Sequence, residues 1–218
     1  MVKRKALGWL VAGALVMTAL GIPLMATAGT QQEEQLASSV IAGLAKAIAD
    51  APVPPDYVNR PELQPWLAEM SLRIAHRMTD ERERRELLAT VHYEAIRAGL
   101  DPQIMLGVIY HESGFKKYAI STAGARGYMQ VMPFWMTLIG AVDQNLFNLR
   151  TNLRYGAVIL RYYLVDLEKG DYYRALGRYN GSLGKPDYPT AVIAAANRYF
   201  AYVPIATAVS AIGTSTPR

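Results

Sequence analysis

The chain has 218 residues, 51% of them hydrophobic, with no cysteine and a formal net charge of +5. That length supports one sizeable core with an appendage. The lack of cysteine excludes a disulfide framework, a lipidated cysteine and thiolate metal sites. His76, His92 and His111 form no close pair, which argues against a histidine metal site, and no basic stripe marks a nucleic-acid binder.

The N-terminus has the three-part form of a secretory signal. Lys3, Arg4 and Lys5 supply the charged start, an apolar run follows, and Ala26-Thr27-Ala28 gives a small-x-small cleavage pattern. Residues 1–28 are read as a signal peptide, with an uncleaved inner-membrane anchor as the alternative, since the apolar run is near the lower limit for a bilayer span. Either way the rest is exported, to the periplasm or cell envelope, and any membrane contact falls to this segment. Residues 29–61 combine an amphipathic helix over 31–49 with a linker. Leu36, Val40, Ile41, Leu44 and Ile48 recur at helical spacing, and Pro52, Pro54, Pro55 and Pro61 block helix and central strand. The helix is expected to pack on the main domain, with a cell-envelope protein partner as the other contact it can serve.

From Glu62 the pattern is helical. One helix is expected over 66–78. Asp80 with Glu83 forms a capping box for the next, which Gly99 ends. Asp101-Pro102 is a start signal for a helix running to Gly114. Leu153, Ala157, Leu160, Leu164 and Leu167 form the seam of a buried helix over 152–170, and helices over 171–180 and 190–203 complete the set. No run alternates with period two, so no large sheet is expected. The expected fold is one all-α globular domain over 62–203, followed by a loosely held tail, 204–218.

Glu112 lies at the end of an apolar helical stripe. At 100° per residue, Met105, Val108 and Ile109 fall within about 60° of it. Burial penalises the ionised carboxylate and raises its pKa, and a glutamic acid kept protonated near neutral pH suits the protonation of a sugar oxygen. The competing reading is an acid at a helix end, turned to solvent or paired with Lys116 or Lys117.

The surrounding motifs weigh on that choice. His111-Glu112-Ser113-Gly114-Phe115, the stretch Ser121 to Pro133 containing Gly127-Tyr128-Met129-Gln130, Asn152 to Gly156, and Arg178-Tyr179-Asn180-Gly181 occur in this order. Together they resemble the soluble lytic transglycosylase family, whose catalytic domain is goose-lysozyme-like. Tyr128 stands where that family usually has leucine and Arg178 where it has alanine, which bears on the lining or rim of the groove.

The resemblance implies an all-α, lysozyme-like domain that cuts the β-1,4 bond between N-acetylmuramic acid and N-acetylglucosamine in peptidoglycan glycan strands. It implies Glu112 as general acid and then base, closing a 1,6-anhydro ring without water, with neither metal nor cofactor. By position it assigns Ser121, Gln130, Met132, Tyr179 and Asn180 to the substrate groove: Ser121 and Gln130 to sugar or acetamido groups, Tyr179 near Glu112 or the reacting sugar, Met132 as an apolar wall. Ser113 is given an orienting role and His111 none in the chemistry. An ordinary glycosidase needs a second carboxylate roughly 5–10 Å from the first, and Asp143, Asp166, Asp171 and Asp187 are the surface acids that stand for it. A lysozyme-type hydrolase and a non-catalytic wall-binding component remain the alternatives.

Overall fold

Four helix starts coincide with side chains that satisfy orphan backbone N–H groups. Asp80 accepts from Glu83 N at 2.9 Å and Asp101 from Gln103 N at 2.7 Å, while Asn148 and Asp171 do the same for Thr151 N and Arg174 N. The computed structural model describes residues 31–49, 52–140 and 143–203. The expected signal peptide and tail lie outside the described residues. The described residues form eight α-helices: α1 Ser38–Ala49, α2 Gln64–Ile74, α3 Glu81–Ala98, α4 Pro102–Glu112, α5 Phe134–Ile139, α6 Leu149–Arg161, α7 Tyr172–Asn180 and α8 Asp187–Tyr199. The class is all-α and lysozyme-like as expected. The described residues contain no named strand, only isolated antiparallel bridges Ile120–Arg126 and Arg126–Val131 in the loop between α4 and α5. Among them no helix is long and apolar enough to cross a membrane.

Several boundaries differ from the sequence pattern. Residues 31–37 are not helical, and α1 starts at Ser38. The stretch expected as one helix over 152–170 begins earlier, behind the Asn148 cap, and passes into a π segment at Tyr162–Leu167. The last helix starts at Asp187 rather than Thr190. Pro189 is tolerated there because the first turn has no partner for its missing N–H. It also stops at Tyr199, where Arg73 donates to the carbonyls of Tyr199 and Ala201 at 3.1 and 2.7 Å. The short helix α5 was not anticipated.

The core runs through every helix. Leu67, Met70, Leu87, Leu106, Ile109 and Leu160 are completely buried, and each such side chain contributes about 1.5–3 kcal/mol. α1 packs on α5 and α6 and adds Leu44 and Ile48 to that core. The proline-bearing stretch lies on α3, where the buried Tyr57 hydroxyl bonds His92 Nδ1 at 2.8 Å. A buried ion pair ties α6 to α3: Arg154 Nε lies 2.6 Å from Glu94 Oε2, which Arg97 also approaches at 3.0 Å.

α4 is the central element for the site. It packs chiefly on α8 and also on α3. A β-carbon at Gly107 would stand 2.8 Å from Val192 O, so the missing side chain lets the α8 backbone close on α4. That approach brings the first turn of α8 to the end of α4, where Glu112 sits.

Candidate active site

Glu112 is the last residue of α4, directly after a stripe in which Met105, Val108 and Ile109 are fully buried. Its part-buried carboxyl turns toward α7 and α8, away from the exposed Lys116 and Lys117. Tyr188, in the first turn of α8, donates to Glu112 Oε1 at 2.5 Å. Asn180, the last residue of α7, hydrogen-bonds the same carboxyl. Burial dominates and pushes the Glu112 pKa from 4.5 up to about 7, while the bonds from Tyr188 and Asn180 oppose the rise. The acid is thus poised between protonated and ionised forms near neutrality, as a group that first gives and then takes a proton needs to be.

Asp143, Asp166, Asp171 and Asp187 are all exposed, and Asp171 is occupied as the α7 cap. Among the described residues, no cluster of three metal-ligating side chains occurs. Ser113 donates to Ile109 O at 3.2 Å and steadies the end of α4. His111 bonds Ala191 O at 3.0 Å and joins α4 to α8.

The loop between α4 and α5 comes next, and α6 holds it. Asn152, fully buried, accepts from Met129 N at 2.8 Å and donates to Arg126 O at 2.8 Å and Leu146 O at 2.9 Å. Four residues on, along the same helix face, Gly156 leaves room for Met129, whose sulfur would lie 2.3 Å from a β-carbon there. Gly127 has φ +76°, and a side chain would strike Asn152. The asparagine-to-glycine spacing in α6 and the glycine in the loop are two halves of one contact.

Within this loop, Ser121 Oγ accepts from Ala125 N at 3.1 Å, which leaves its hydroxyl proton to donate elsewhere. Gln130 is buried at φ +49° and gives its amide nitrogen to Ala119 O and Gly127 O at 3.1 and 3.0 Å. Any sugar contact from Gln130 therefore falls to its carbonyl oxygen. Met132 follows, part-buried. Tyr179 is buried and donates to Met129 O at 2.8 Å, so its hydroxyl fastens the loop to α7. Burial raises the Tyr179 pKa well above the ordinary value, and the Glu112 charge raises it further.

The tyrosine that bonds the acid is Tyr188, which the sequence pattern did not single out. Its signal was Pro186-Asp187-Tyr188-Pro189, two prolines bracketing a helix start. Tyr128 is 4% exposed and belongs to the core, where burial pushes its hydroxyl up to about 12. Arg178 belongs to α7, and its side chain reaches the end of the π segment. It bonds Glu168, as does Arg174, and approaches Glu34 at 3.6 Å. Arg174 foremost, with Arg178, holds the Glu168 carboxyl below its usual range.

The family model described as Transglycosylase SLT domain matches residues 90–190. A segment of 49 residues is 45% identical to the membrane-bound lytic murein transglycosylase C of Mannheimia succiniciproducens, covering 22% of this chain and 14% of that protein. The same identity and length relate it to the proteins of that name from Actinobacillus pleuropneumoniae and Haemophilus influenzae, over 13% and 14% of their chains. The match therefore spans about a seventh of those relatives. Glu112, Ser121, Gln130, Met132, Tyr179, Asn180 and Tyr188 all fall within 90–190, the stretch that matches the Transglycosylase SLT domain.

Proposed function

We propose that this protein is a peptidoglycan lytic transglycosylase of the cell envelope, with Glu112 as its single acid and base. The observation that carries this is the Glu112 carboxyl itself, raised to about 7 at the end of an apolar helix inside a Transglycosylase SLT domain. Protonated Glu112 gives its proton to the glycosidic oxygen as the bond from C1 of N-acetylmuramic acid breaks. The resulting carboxylate, supported by Tyr188 and Asn180, takes the proton of the muramic C6 hydroxyl. That oxygen closes on C1, and the products are a 1,6-anhydro end and a free N-acetylglucosamine hydroxyl. No water is consumed, and the proton returns to Glu112.

Ser121, Gln130, Met132, Tyr179 and Asn180 line the groove in this scheme. Tyr188 is added as a positioning residue, because it fixes one carboxyl oxygen and tunes the proton affinity. The test is digestion of purified peptidoglycan by the parent protein and by Glu112→Gln, with mass spectrometry of the released sugars. Anhydromuropeptides from the parent alone support the assignment. Reducing ends in their place identify a hydrolase and refute the ring-closing step.

A further inference from the structure

Gln31 precedes the first helix by seven residues and is nevertheless 3% exposed. Its Oε1 accepts two hydrogen bonds, from Trp135 Nε1 at 3.0 Å and from Met132 N at 3.3 Å. It also lies beside the Tyr179 hydroxyl. Its Nε2 is buried and makes no hydrogen bond. The Tyr179 hydroxyl also feels the Glu112 charge, so Gln31 and the candidate acid act on the same side chain. The segment that carries Gln31 is tethered by Glu34, 3.6 Å from Arg178, and by Leu36 packed against the core.

The chemistry of this recess does not suit a primary amide. Two converging N–H donors satisfy the carbonyl oxygen, but the NH₂ has only the Tyr179 hydroxyl beside it and makes no bond of good geometry, and a buried donor in that state is penalised. An acetamido group presents the same carbonyl oxygen and places a methyl where the NH₂ now lies. The methyl needs no partner.

Resting on the transglycosylase function proposed above, we infer that Met132 N–H, the Trp135 indole and Tyr179 form a recess for the acetamido group of an N-acetyl sugar. The chain's own Gln31 fills this recess as an intramolecular competitor. A competitor of this kind lowers apparent affinity by the fraction of molecules in which the recess is open. Loss of two hydrogen bonds of ordinary net strength should open it about tenfold more often.

The test uses the full chain and the variants Gln31→Ala and Gln31→Met, titrated with the β-1,4-linked N-acetylglucosamine tetramer and with the β-1,4-linked glucose tetramer, which has no acetamido groups. Gln31→Ala should bind the acetylated tetramer about tenfold more tightly than the parent, with no matching gain for the glucose tetramer. Gln31→Met fills the volume without accepting a bond and should show a smaller gain in the same direction, which keeps the test available if the alanine variant does not fold. Folded variants that bind the acetylated tetramer no better than the parent overturn the inference, as does an equal gain for both sugars. Peptidoglycan digestion is run beside the titration. Tighter acetylated binding with no product from any form upholds the recess and refutes the catalytic assignment. Anhydro products with no gain in binding do the reverse.

Discussion

Replacing the candidate acid should make the protein more stable, and only at high pH. Folding raises the Glu112 pKa from 4.5 to about 7. Below the lower value both native and unfolded chains hold the proton, and the site costs nothing. As pH rises between the two values, the unfolded chain ionises while the native chain does not, and stability falls. Above the upper value the full penalty is present, on the order of 3 kcal/mol from a difference of about 2.5 units. Glu112→Gln removes the charge and keeps a carbonyl oxygen for Tyr188. At about pH 8.5 it should therefore gain about 3 kcal/mol, or about 6–12 °C in melting temperature for a chain of this size. At about pH 4 parent and variant should melt together. Urea or thermal denaturation at the two pH values, followed by circular dichroism, measures this. A gain of equal size at both would mean that shape, not charge, is responsible. No gain at the higher pH would mean that folding does not raise the carboxyl's pKa.

Three further outcomes follow from the same contacts. The Tyr188 hydroxyl favours the carboxylate form, so Tyr188→Phe should raise the Glu112 pKa by roughly one unit; the alkaline limb of the activity profile should move upward, and a downward shift would contradict the bond at 2.5 Å. Asn152→Ala leaves Met129 N and the carbonyls of Arg126 and Leu146 without their partner. It should cost about 3–5 kcal/mol in denaturant unfolding, and a cost near zero would show the loop stands without α6. Glu94→Ala strips a buried arginine, Arg154, of its carboxylate and should cost about 3–5 kcal/mol in the same assay, with a loss below about 1 kcal/mol counting against a closely paired geometry.

Where sequence alone spoke clearly, one residue carried one local meaning. Asp80 and Asp101 announced helix starts, and Gly99 an end, because a cap is decided by its immediate neighbours. The apolar stripe leading to Glu112 was equally plain from its spacing. Asn152 and Gly156 stood out as a motif, but their purpose lies in a loop more than twenty residues earlier in the chain. Tyr188 was hidden for two reasons. Its helix was placed too late, after Pro189, and its partner is 76 residues away. Gln31 was hidden more deeply. It sits in a polar stretch with no periodicity, and only the fold brings it against Trp135 and Met132. Tyr128 failed in the opposite sense: its departure from the family's leucine pointed to the lining or rim of the groove, yet its ring packs in the core.

The meeting of α4, α7 and α8 at one carboxyl ties reactivity to completeness. Tyr188 and Asn180 come late in the chain, so during synthesis Glu112 is made long before the groups that surround it. An unfinished or locally opened chain exposes the carboxyl to water, its proton affinity drops toward that of a free glutamate, and at neutral pH it carries no proton to give. For a protein proposed to cut peptidoglycan with that acid, unfinished or locally opened copies would lack the protonated donor that the reaction requires.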